Sequence, residues 1–237
     1  MKLSVIKFNI KMRILSVFFF IIVLGCKTEE PQNIILNSST KVVEVKSKTG
    51  RIWMDRNLGA SQVATSLTDE KAYGDLYQWG RLADGHQLRN SATTTTVSNT
   101  DVPLNSSFIA PISIPYDWRS PTNKNLWQGV NGINNVCPAG FRLPTKEEWR
   151  IEISSWDSNN AAGAFASPLK LTLAGYRSSS KVDSVGFSGK YWGSSTISIF
   201  SSLGNFSSSF INLKTNYIDG NISTSTSAGF SVRCLKD

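Results

Sequence analysis

The sequence predicts an α+β domain made of short strands, few helices and long loops. Three observations point that way. Residues 144–156 carry a complete helical signal. Several other stretches alternate apolar and polar residues with the period of a strand. Clusters of Gly, Ser and Asn punctuate the chain and mark turns. Of 237 residues 40% are hydrophobic, which is enough to build a core and excludes a wholly disordered chain.

The first element is not part of that domain. Lys2, Lys7, Lys11 and Arg13, with no acidic residue among them, precede an 11-residue apolar-rich run over residues 14–24. A helix needs about 20 residues to cross the hydrocarbon layer. Eleven is the size of a signal-peptide core behind a basic start. The run ends Val23-Leu24-Gly25-Cys26, which resembles the lipobox of bacterial lipoprotein precursors. That resemblance implies cleavage before Cys26, acylation of Cys26 with palmitate-type chains, and a membrane partner reached through those chains. An ordinary secretory signal or an uncleaved anchor is the alternative. Residues 1–25 are thus expected to be a signal peptide and 26–40 a lipidated linker. Lys27-Thr28-Glu29-Glu30 resembles the surface-export signal of some Gram-negative lipoproteins, so an outer-membrane, surface-facing location is expected, with a periplasmic one as the alternative.

The leader also explains the charge. The whole chain carries +8, and removal of residues 1–25 leaves 21 basic against 17 acidic residues. No Lys/Arg stripe runs through the remainder, so no nucleic-acid partner is expected.

The domain itself is expected over residues 41–237. Lys41–Lys46 and Arg51–Met54 read as strands around a Thr49-Gly50 turn. Residues 72–81 carry Tyr73, Tyr77 and Trp79, an aromatic cluster suited to a core, with Gly74 and Gly80 weakening any helix. Residues 91–107 are rich in Ser, Thr and Asn and read as a long surface loop. Thr145 followed by Glu148 forms a capping box, and Trp149, Ile153 and Trp156 share a helical face. That helix is expected to end near Ser158-Asn159-Asn160. Leu169, Leu171 and Leu173 then alternate with polar or small residues, as in a half-buried strand. Residues 186–193 read as a turn entering a strand, and further strands are expected near 208–213 and 229–235.

If Cys26 is lipidated, Cys137 and Cys234 remain. In an exported domain two cysteines suggest a disulfide, with two buried thiols or a nucleophile as alternatives.

Gly50–Gly59, Ala72–Arg81, Asn134–Trp149, Gly175-Tyr176-Arg177, Tyr191–Ser195 and Gly229–Cys234 together resemble the Fibrobacter succinogenes major paralogous domain, a module of exported bacterial proteins. The Phe141-Arg142-Leu143-Pro144-Thr145 stretch is also similar to formylglycine-generating-enzyme-like domains of C-type-lectin-like fold. The resemblance implies a Cys137–Cys234 disulfide, paired N- and C-terminal strands, and long excursions forming a ligand surface. It supplies no reaction.

Tests for chemistry find little. His86 is the sole histidine. It cannot form a facial iron site, and in Ala83-Asp84-Gly85-His86 it reads as a turn residue without a nucleophile. Glu147 and Glu148 suit the first turn of a helix better than a glycosidase pair. No calcium-binding carboxylate cluster, metal site, phosphate loop or cofactor is expected. The remaining candidate is a binding face over residues 191–212, combining aromatic rings with Ser and Asn. Tyr191, Trp192, Ser194, Ser195, Phe200, Asn205 and Phe206 are its candidate residues, for a glycan or protein ligand. The expectation is therefore a non-catalytic, lipid-anchored binding protein. A structural surface lipoprotein without a discrete ligand, or an enzyme of the formylglycine-generating type, is the alternative.

Overall fold

The computed structural model describes residues 40–198 and 206–237. The leader, Cys26, the linker up to residue 39, Phe200 and Asn205 lie outside the described residues. The elements in chain order are β1 (Glu44–Lys46), β2 (Ile52–Met54), β3 (Tyr77–Gln78), β4 (Thr93–Thr94), β5 (Phe108–Ile109), β6 (Phe141–Arg142), α1 (Lys146–Ser154), α2 (Ala161–Ala166), β7 (Tyr176–Ser178), β8 (Lys181–Asp183), β9 (Ser188–Ser198), β10 (Phe206–Lys214), β11 (Ile218–Thr224), β12 (Gly229–Phe230) and β13 (Leu235–Lys236). The fold is α+β, mostly strands, with a disulfide between Cys137 and Cys234.

Early and late strands share a sheet in the order β1-β2-β13-β6, where Trp53 lies opposite Leu235. The sheet starts from the expected hairpin. Gly50 sits at φ +82° and donates its amide to Ser47, closing the turn between β1 and β2. Thr40, the last residue of the expected linker, is already packed: its hydroxyl accepts from the Gly59 amide. A second sheet runs β11-β10-β9 and a third β3-β12-β7-β8.

The β9–β10 ribbon divides the core. Trp192 and Phe210 join one hydrophobic cluster with Trp79, Phe206 and Phe230. Their neighbours Tyr191 and Ile211 join the other, with Trp53, Trp149 and the Leu169, Leu171 and Leu173 side chains. Successive strand residues point to opposite faces, so where the ribbon is covered on both sides, as at Tyr191–Ser194 and Phe206–Ile211, consecutive residues are buried. Each aromatic ring so buried removes roughly 150–250 Å² from water, worth several kcal/mol.

The aromatic stretch 72–81 is core, as its composition predicts: Tyr77 and Trp79 are fully buried. Its backbone is a short 3-10 turn, Glu70–Ala72, followed by β3. Gly74 lies between them at φ +67°, where an added Cβ would stand 2.3 Å from the Leu58 carbonyl.

α1 begins as predicted. The Thr145 hydroxyl accepts from the Glu148 amide, and the Glu148 carboxylate accepts from the Thr145 amide. It ends earlier than expected, at Ser154, because the Ser155 hydroxyl takes the Glu152 carbonyl at 2.6 Å. The polar run at 158–160 has another use. Asn160 accepts from the Gly163 amide and caps α2, a helix the sequence reading did not foresee.

Residues 169–174 are not a strand. The leucines are buried, but so are Thr172 and Ala174 between them. Their backbone groups pair with side chains and scattered carbonyls instead of a ladder. The Thr172 amide donates to the Tyr191 hydroxyl, Leu173 donates to the Leu67 carbonyl, and Arg233 and Arg89 donate to the carbonyls of Leu169 and Ala174.

The polar stretch 91–107 is a long loop closed at its base by the parallel pair β4–β5. Two buried arginines fasten it. Arg177 donates to Ser91 and Thr93 and lies 4.2 Å over the Phe108 ring. Arg81 donates to the carbonyls of Asn105 and Ser107.

Candidate functional site

α1 starts where β9 turns past it. The Ser194 amide donates to the Pro144 carbonyl, and the Ser195 hydroxyl accepts the Lys146 amide at 3.0 Å. These bonds set the helix beside the outer half of β9. β11 approaches from the other side at Gly220, where a Cβ would stand 3.4 Å from Ile153. Between the three elements lies a cleft of about 710 Å³. Ile153, Ile197 and Ile218 supply its apolar lining, and Ser195, Thr196, Asn159 and Asn221 its hydrogen-bonding groups. Lys146, Glu147 and Arg150 add charge along the helix.

The acids of this helix are engaged. Burial alone would raise the Glu148 carboxyl, but Arg142, at 2.8 Å, and the cap amide hold it down at about 2. Glu147 is lowered by its hydrogen bond to Arg150. Both carboxylates are paired with arginines that favour their ionised form, which does not suit the proton donor of a glycosidase.

His86 is fully buried. Its Nε2 accepts from the Gln78 amide at 3.0 Å, so the ring proton sits on Nδ1 and is donated to Asp84 at 2.6 Å. Burial, aided by Arg81, lowers its pKa to about 4. Asp84 also accepts from two Arg81 nitrogens. A histidine–aspartate pair of this form would orient a general base, but here the basic nitrogen faces a backbone amide and no nucleophile. Among the described residues no three His, Cys, Asp or Glu side chains gather as a metal site.

The candidate binding residues of the 191–212 stretch divide. Tyr191 and Trp192 are 0% exposed and have no surface to offer a ligand. The Tyr191 hydroxyl donates to the Thr172 carbonyl, while Trp192 stacks on Phe230 at 4.3 Å and donates to the Tyr77 carbonyl. Phe206 is buried edge-on against Trp79, and Ser194 is buried behind Pro144. Ser195 alone of the described candidates lines the cleft. Cys137 and Cys234 are joined, which removes both as nucleophiles.

Sequence reasoning passed over the cleft because its lining comes from α1, β9 and β11, each ordinary by itself. It also passed over Arg81, Arg177 and Arg233, all buried. Their signal was present: each sits inside one of the blocks Trp79-Gly80-Arg81, Gly175-Tyr176-Arg177 and Val232-Arg233-Cys234.

No family model, curated protein or solved structure matches the chain.

Proposed function

We propose that this is a lipid-anchored, exported envelope protein of the Fibrobacter succinogenes major paralogous type. Its C-type-lectin-like domain binds a ligand without catalysing a reaction. The observation that carries this reading is the cleft between α1, β9 and β11, which combines an isoleucine lining with hydroxyl and amide groups and lies within the size range of ligand sites. Among the described residues the lining is isoleucine, hydroxyl and amide groups without an aromatic ring, a chemistry that suits a polypeptide segment. The absence of catalysis is supported by the engagement of His86, Glu148 and the cysteine pair in structural contacts. The anchor is supported by the basic, apolar and lipobox-like order of residues 1–26. Several acyl chains, each adding about 0.8 kcal/mol per buried methylene, suffice for stable attachment.

Two measurements test the reading. Cys26→Ala is expected to move the protein from the membrane to the soluble fraction; a processed Cys26→Ala protein that stays in the membrane contradicts the anchor. Residues 27–237 are then offered to purified envelope proteins and cell-wall polysaccharides. Binding that falls at least tenfold with Ile153→Arg supports the cleft. Binding insensitive to Ile153→Arg rejects it, and absence of all binding favours a structural surface protein.

A further inference from the structure

A second pocket lies on the far side of the β9–β10 ribbon, away from α1. It has a volume of about 290 Å³ and is bounded by β7, β9, the approach to β12 and the loop around residues 110–116. Lys190 of β9 reaches into it. The ammonium lies 3.5 Å from the centroid of the Tyr176 ring and 5.2 Å from that of Phe230. Stacked against aromatic faces, it is held in place by cation–π attraction. Among the described residues it forms no ion pair within 4 Å, in contrast to Lys48 and Lys236. The charged groups around it are Lys214, which repels, and Asp183, which attracts. Asp183 is already committed to the Ser184 amide and hydroxyl. Burial, with Lys214, lowers the Lys190 pKa. The pocket therefore presents a positioned, partly desolvated cation with no carboxylate in ion-pair contact among the described residues.

The rest of the lining fits a particular kind of anion. Ser178, Ser179, Thr224, Ser225 and Ser227, all hydroxyl-bearing residues, line the pocket. Tyr116 stands at the rim, 45% exposed, held in the left-handed region at φ +57° by a turn in which its amide donates to Ser113. A partly exposed tyrosine, several hydroxyl-bearing residues and a single cation suit a pyranose that carries one carboxylate. The volume accommodates one sugar unit and lies at the lower end of the range for small-molecule sites.

We infer that this pocket binds a single acidic sugar residue, its carboxylate paired with Lys190, its ring on Tyr116 and its hydroxyls on the surrounding serines. The inference rests on the reading of the domain as a binding module, but it uses a surface separate from the α1 cleft.

The test is titration of residues 27–237 with glucuronate and galacturonate, with glucose and acetate as controls, followed by NMR shifts of the residues around Lys190. At least one uronate is expected to bind with a Kd of about a millimolar. Glucose and acetate should each be at least tenfold weaker. Lys190→Met is expected to weaken uronate binding at least tenfold, and Tyr116→Ala, on the exposed rim, at least fivefold without loss of the fold. Glucose binding as well as the uronates overturns the charge assignment. Acetate binding as well as the uronates overturns the sugar assignment. No uronate binding, or binding unchanged in the folded Tyr116→Ala protein, overturns the site. None of these outcomes bears on the α1 cleft, which is read by Ile153→Arg.

Discussion

Arg233 is buried without an ion pair among the described residues. Burial lowers its pKa to about 10, yet each guanidinium nitrogen makes a hydrogen bond. It donates twice to Asn57 and once each to the carbonyls of Met54 and Leu169. One side chain thereby joins the last strand region to two distant loops. Arg233→Met keeps much of the volume but strips three acceptors of their donors, so a loss of about 3 kcal/mol is expected in urea unfolding. Arg233→Lys restores only a point charge and should recover a part of it. His86 makes a pH-dependent contribution. Its folded pKa, about 4, lies below the ordinary value of 6.5, so the unfolded chain binds the proton first. Stability is then full above about pH 6.5 and falls as pH drops toward 4, by roughly 2–3 kcal/mol for this group. Asp75 and Asp117, each raised to about 6 by burial, act in the opposite sense, favouring the folded state below pH 4 and losing that effect by pH 6. Comparing unfolding of wild type and His86→Gln at pH 7 and pH 4 isolates the histidine: wild type should lose more stability on acidification than the variant. Equal losses would contradict the buried neutral ring. At this scale the sequence marked residues for notice without revealing their duties. The arginines stood inside the recognisable blocks, but their partners lie up to 179 positions away.

The helix α1 was legible because its signals are local. A capping box needs only residues 145–148, and the structure forms it. Thr145→Ala is expected to cost about 1 kcal/mol, measured by thermal or denaturant unfolding, and Thr145→Ser to cost little. The cost should exceed that of an isolated cap if the Arg142–Glu148 pair loosens with it. β1 and β2 were legible for the same reason, as a hairpin closed by one glycine. The Leu169, Leu171 and Leu173 segment was misread because alternation reports burial, not hydrogen bonding. The burial is real, but a strand also needs a neighbour with free backbone groups, and here Tyr191, Arg89 and Arg233 provide the partners. The expected binding face failed at Tyr191 and Trp192 on a similar point. A strand rich in aromatics and serines has the same composition at an exposed edge and between two cores. Only the covering of β9–β10 on both sides distinguishes them.

At the scale of the molecule, the disulfide ties residues 137 and 234, with Cα atoms 5.9 Å apart. A bridge closing so long a loop stabilises by roughly 4–5 kcal/mol in the chain-entropy account. Reduction is expected to lower the unfolding free energy by an amount of that order, and thiol reagents should find neither cysteine in the folded, unreduced protein. Labelling of either one without reductant would contradict the bond. The α+β class, the terminal strand pairing and the cysteine pair were all within reach of the sequence; the loop anchoring by Arg81 and Arg177 was not, since it depends on where the chain returns. The sheet β1-β2-β13-β6 has a last consequence. Glu44 of β1 and Lys236 of β13 meet in a 2.6 Å contact across β2, so the first and last strands of the domain lie close together. Such a domain behaves as a cassette. Spliced into an exposed turn of a host protein, it parts the host backbone by little, and joining its own ends with a short bridge leaves room to open new ones in a surface loop elsewhere.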